Sequence, residues 1–187
     1  MIRAFFALPI GDELREALIA AQARMRRADA TGRLPIRFSR QEQLHVTLKF
    51  LGDVPDAAVP ALSEIARRRA AEHLPLTLCQ SNVIAFGSPR RARALVAAID
   101  EHPQLLALVA ELEADVGALG IPRERRPYRP HVTLVRFKRP GDARALLAAA
   151  ALEPRDFSPA ELRFYQSTLG AQGGVYTVLG AFPFGAP

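Results

Sequence analysis

The sequence predicts an α+β protein of two similar lobes, with antiparallel sheets lining a central groove and helices outside. Three observations predict it. The string His-Val-Thr-Leu occurs twice, at 45–48 and at 131–134. Each copy is followed by a turn and then by apolar residues at helical spacing. The segments run strand, helix, strands, helix, strands, helix, strand, helix, strands, and no glycine-rich phosphate loop follows any of them. At 187 residues the chain reads as a single domain, 1–187, made of the two lobes.

The elements follow in order. Residues 2–8 are a strand of mostly apolar residues. Gly11 to Ala30 is a helix, with Leu14, Ala17, Leu18, Ala21 and Met25 on one side. After Gly32 and Pro35 comes an extended Ile36-Arg37-Phe38. Gln43 to Leu51 is the first His-Thr strand, closed by the turn signal Gly52-Asp53-Val54-Pro55. Asp56 to His73 is a helix with Asp56 as candidate cap. Leu74 to Phe86 and Ala92 to Ile99 form a hairpin across Gly87-Ser88-Pro89. Pro103 to Leu119 is a helix that stops at Gly120. Tyr128 to Phe137 is the second His-Thr strand, Asp142 to Leu152 a short helix. Glu161 to Leu169 and Val175 to Phe182 are closing strands around Gly173-Gly174.

Composition excludes several classes. Apolar residues make up 49% of the chain, enough for a core and too many for a disordered segment. No run is long enough to cross a bilayer, so no membrane partner is expected. The opening Met1–Pro9 is followed by Asp12 and Glu13 and reads as a strand rather than a leader. The single Cys79 points to a reducing, cytoplasmic setting and excludes a cysteine-built metal site. The net charge is +6, nearly all of it arginine, whose planar fork matches phosphate oxygens. A monomer is expected.

Side chains at i and i+2 of a strand share a face. His45 and Thr47 therefore point one way, with Lys49, while Leu44, Val46, Leu48 and Phe50 point the other. His131 and Thr133 repeat the pattern against Val132 and Leu134. Imidazole gives or takes a proton near neutrality. Two imidazoles on opposite sides of a phosphodiester can activate water and protonate the leaving oxygen, each worth ~10²–10⁴-fold. Threonine hydroxyls suit the non-bridging oxygens, where charge builds. The scheme needs no cofactor, and no carboxylate cluster offers a metal site. The other histidines, His73 and His102, have no hydroxyl at i+2 and read as surface residues, as does the run Arg67-Arg68-Arg69. The arginines 123, 125, 126 and 129 suggest a basic lip beside the second pair.

With both tetrads in place, the chain resembles the two-histidine (2H) phosphoesterases, and within them the bacterial and archaeal RNA 2′,3′-cyclic phosphodiesterases once described as 2′-5′ RNA ligases. The supporting stretches are Arg3–Leu8, Leu44–Gly52, Tyr128–Arg136, Ser167–Leu169 and Gly174–Tyr176. The resemblance implies a bilobal fold, no metal and hydrolysis of a 2′,3′-cyclic phosphate to a 2′-phosphomonoester. It implies that His45 is the general acid for the leaving 3′ oxygen and His131 the general base for water. Its partners would be RNA 3′ ends or small cyclic nucleotides. It also implies that Arg136, five residues after the second histidine, contacts the phosphate. Alternation puts Arg136 on the face away from His131, and a bulge would reconcile the two. Phe5 and Tyr128 are candidates for stacking on a terminal base. Alternative substrates are ADP-ribose 1″,2″-cyclic phosphate and 2′-5′ linked RNA. A non-catalytic module that binds RNA ends is the non-enzymatic alternative.

Overall fold

The computed structural model describes residues 1–187 apart from 30, 31, 33, 171–172 and 186–187. The expected helix end at Ala30 lies outside the described residues. Nine strands and four helices are β1 (Ile2–Pro9), α1 (Asp12–Ala28), β2 (Ile36–Phe38), β3 (His45–Val54), α2 (Val59–Glu72), β4 (Leu78–Ser88), β5 (Arg91–Ile99), α3 (Pro103–Ala118), β6 (His131–Gly141), α4 (Arg144–Ala149), β7 (Arg155–Phe157), β8 (Glu161–Gly170) and β9 (Gly173–Pro183). Two 3₁₀ turns, Gln41–Gln43 and Asp56–Ala58, precede β3 and α2. The second occupies the start of the helix expected from Asp56. The short β7 was not expected from the sequence; it adds an edge to β4 through Leu78↔Phe157.

The strands run in the order β7-β4-β5-β6-β3-β1-β8-β9, with β2 beside β6. All pairs are antiparallel. The strands form one sheet, and its β3 and β6 are joined by a single register pair, Val46↔Val132. One face of the sheet packs on the helices, burying Phe6, Leu8, Val46, Leu95, Val132, Leu134 and Phe164. Gln22 of α1 is buried under the seam, and its amide donates to the carbonyls of Ser39 and Leu134 at 2.9 Å each. The other face is open and carries the tetrads' polar side chains.

The helices are tied together by charge. Arg68 and Arg69 of α2 reach Asp115 of α3 at 2.9 and 2.7 Å, and His73 meets Glu111 at 2.8 Å. The sequence reading as solvated surface holds for Arg67, paired with Glu64 on its own helix, and for Arg68, which stays exposed; it is corrected for Arg69 and His73. The carboxylates on α3 recruit these two, and only the α2–α3 packing shows that.

Candidate functional site

The single β3–β6 register pair fixes the geometry of both motifs. With Val46 opposite Val132 on the buried face, His45 comes to lie opposite Thr133, and Thr47 opposite His131. The four polar side chains thus project from the open face in a crossed, nearly two-fold arrangement. Three of them, His45, Thr47 and Thr133, line a groove together with Arg37, Phe38, Ser39, Gln43, Phe50, Arg136, Gly174 and Tyr176; His131 is not part of that lining.

Each motif strand carries a bulge one residue after its threonine. On β3 the register with β1 steps from Ala7↔Thr47 to Phe6↔Lys49, so Leu48 is extra. On β6 the register with β5 steps from Val96↔Thr133 to Leu95↔Val135, so Leu134 is extra. A bulge reverses the alternation beyond it. Leu134 and Val135 are consecutively buried, and Arg136 returns to the groove. The conflict between alternation and resemblance at Arg136 is thereby resolved in favour of the groove. The same step on β3 corrects the parity reading of Lys49 and Phe50. Lys49 is buried, 4% exposed, and its ammonium donates to Glu113 Oε2 and the Pro122 carbonyl at 2.8 Å each. Phe50 is 58% exposed in the groove. Phe50 and Arg136 are therefore counterparts, each five residues after its histidine.

Both stacking candidates are also corrected. Phe5 is 2% exposed, so no base can reach its face. Instead it backs His45, ring centroids 5.0 Å apart at 25°, and it stacks in turn on Tyr165. Tyr128 is half-buried, and its hydroxyl donates to the Thr47 carbonyl at 3.0 Å, holding the segment before β6 against β3. Burial raises its phenol above the ordinary range. Of the expected basic lip, Arg126 pairs with Glu124, and Arg129 contributes its carbonyl rather than its charge.

The histidines are held differently. His131 Nδ1 lies 2.6 Å from the Arg129 carbonyl, an acceptor only, so Nδ1 carries the proton. In the neutral ring Nε2 is then a free acceptor. Phe86 meets the ring edge-on at 4.7 Å. Burial lowers the His131 pKa, the Arg129 hydrogen bond raises it, and Arg136 lowers it; the net is downward. His45 Nε2 stands 3.1 Å from Thr47 Oγ. Burial, then Arg136, then His131 push its pKa from 6.5 down to about 4, and a backbone hydrogen bond with Gln43 offsets this in part.

A depressed histidine pKa makes the unfolded chain bind the proton first, so stability falls as the pH falls from 6.5 through about 4. For His45 alone the loss is about 3 kcal/mol. Urea unfolding at neutral pH and at pH about 4.5 should show most of that difference, and His45→Gln should remove it.

Comparison with known proteins identifies this arrangement. Residues 12–171 match the 2′-5′ RNA ligase superfamily. The chain belongs to that superfamily. An RNA 2′,3′-cyclic phosphodiesterase of Geobacillus stearothermophilus is 31% identical across 98% of this chain, which spans 58% of that relative's length. The Escherichia coli enzyme of the same description is 33% identical, covering 72% of this chain and 71% of the relative. Among solved structures, TT0787 of Thermus thermophilus superposes with a TM-score of 0.82 at 27% identity, over 99% of both chains. E. coli LigT complexed with 3′-AMP superposes at 0.77 and 23% identity over 98% of each, a likeness of fold. This superfamily member has features that its sequence did not announce. Arg37, Ser39, Gln43, Phe50 and Tyr176 line the groove. Tyr176 reaches it only through the pairing of β9 with β8 at Ser167↔Tyr176, a long-range register that local spacing does not encode.

Proposed function

We propose that this chain hydrolyses RNA 2′,3′-cyclic phosphate ends to 2′-phosphomonoesters, by general acid–base catalysis between His45 and His131 and without a metal. The observation that carries this reading is the crossed set of His45, Thr133, Thr47 and His131, the first three of them lining one groove with Arg136. Two histidines and two hydroxyls would flank a single phosphoryl group bound there. The names of the curated relatives supply the substrate class.

In this reading His131 is the base. Its Nδ1 proton is committed to the Arg129 carbonyl, so Nε2 accepts a proton from water as the water oxygen bonds to phosphorus. The P–O3′ bond breaks, and His45 delivers a proton to the departing 3′ oxygen. Thr47, Thr133 and Arg136 hydrogen-bond the non-bridging oxygens as their charge grows. The free protein keeps His45 neutral at pH 7, since its pKa is about 4. The anionic phosphoryl group offsets the Arg136 charge and draws a proton onto His45, so the acid is armed by its own substrate.

The test is product analysis on an oligoribonucleotide with a 2′,3′-cyclic end, in EDTA. A 2′-phosphate is the expected product. A 3′-phosphate would reverse the leaving oxygen, loss of turnover in EDTA would restore a metal, and binding of the end without product would favour a non-catalytic module.

A further inference from the structure

The two halves of the open face differ in charge. On the β3-β1-β8 side carboxylates accompany the cations: Arg163 pairs with Glu161 at 2.5 Å, and Arg3, although in no ion pair, lies across from Asp53 in the register. That side is otherwise aromatic around Phe50 and Tyr176. On the β5-β6-β2 side the cations are not balanced. Arg136 and Arg37 face each other across β6 and β2 and line the groove. Beyond them, Ala92 and Leu95 point into the core while Arg91 and Arg93 are exposed. Lys138, exposed two residues past Arg136, extends the row roughly 7 Å further along β6. Among the described residues, none of these cations forms an ion pair.

We propose that Arg91, Arg93 and Lys138 form a track for the backbone phosphates of a single-stranded RNA, upstream of the terminal nucleotide that occupies the groove. The inference rests on the proposed function and narrows its substrate to RNA strands rather than free cyclic nucleotides. Continuity decides the occupant. The row begins at the groove wall, where Arg136 and Arg37 would meet a terminal phosphate, and runs on with the same sign of charge. A chain carrying one phosphate per residue matches a row of cations at strand spacing. The guanidiniums bind each phosphate without reading its base, as a general RNA-end enzyme requires.

The experiment compares the wild type with the variant Arg91→Thr, Arg93→Thr, Lys138→Thr; threonine suits an exposed strand. Fluorescence anisotropy reads binding of a 3′-phosphorylated RNA of roughly eight nucleotides at several salt concentrations. Turnover of a 2′,3′-cyclic mononucleotide is read in parallel. With about 0.7 counterions released per phosphate contact, the variant's log–log salt slope should flatten by about 2, and its affinity at 0.1 M salt should fall on the order of 100-fold. Mononucleotide turnover should not change, which also shows that the variant folds. Unchanged RNA affinity and slope overturn the track, as does an equal loss of mononucleotide turnover. If the wild type binds the RNA with the steep slope but turns over neither substrate, the track stands and the catalytic reading fails.

Discussion

Replacing His131 or His45 with alanine is expected to lower turnover of a 2′,3′-cyclic phosphate by about 10²–10⁴-fold each. The two losses should differ in kind. General acid catalysis matters in proportion to the basicity of the leaving oxygen. An aryl phosphodiester, whose phenolate departs without a proton, should therefore restore much of the rate of His45→Ala and little of the rate of His131→Ala. The double variant should lose less than the product of the single losses, because the histidines act on one transition state. The two deletions disturb structure differently. His45 lies on Phe5, so its loss opens a gap over a stacked ring, whereas the His131 ring touches Phe86 edge-on. A circular dichroism melt of each variant separates loss of fold from loss of chemistry. Near wild-type turnover in both variants would remove the two-histidine reading altogether.

Glu113→Ala is expected to destabilise the fold by about 3–5 kcal/mol, the cost of leaving a buried charge without its partner. Lys49 Nζ has two partners, Glu113 Oε2 and the Pro122 carbonyl, both at 2.8 Å, and the lysine side chain is only 3% exposed. Removal of the carboxylate leaves the ammonium with one neutral acceptor. For a chain of this length the loss corresponds to a midpoint drop of about 10 °C. The pair Lys49→Met, Glu113→Leu should recover most of that, because replacing a whole buried ion pair by apolar groups is often neutral. Urea titration of the single and double variants reads both effects. A single variant within 1 kcal/mol of wild type, on the scale of a surface pair, would show that water reaches Lys49. The same contact ties α3 to β3 beside the bulge, so Glu113→Ala should also slacken the strand that carries His45.

The fold was legible because most of its signals are local. Period-two alternation around 45–48 and 131–134 and helical spacing in 12–28, 59–72 and 103–118 each need only neighbours in sequence. What alternation misplaced lies beyond a bulge. Lys49, Phe50 and Arg136 all sit after the extra residues Leu48 and Leu134, and the extra residue is defined by the partner strand. Arg69 and His73 were misread for a related reason: their carboxylates are on α3, far along the chain. Phe5 was read as a stacking candidate, but His45, Tyr165 and Tyr176 close over it from three other strands. The tautomer of His131 depends on a carbonyl only two residues away, yet that is a backbone group, which residue type does not announce.

The crossed register at Val46↔Val132 has one more consequence. A half-turn about that pair carries each histidine onto the other and each threonine onto the other, so the four groups alone have no preferred sense. Run forwards or backwards, a reaction at such a centre needs only that acid and base trade names. Direction enters with the Arg129 carbonyl that only His131 holds, and at the fifth residue, where one strand offers the ring of Phe50 and the other the charge of Arg136. On the proposed function, that mismatch is the compass of the groove: it would tell a nucleotide which way to lie, and so which imidazole meets the leaving oxygen.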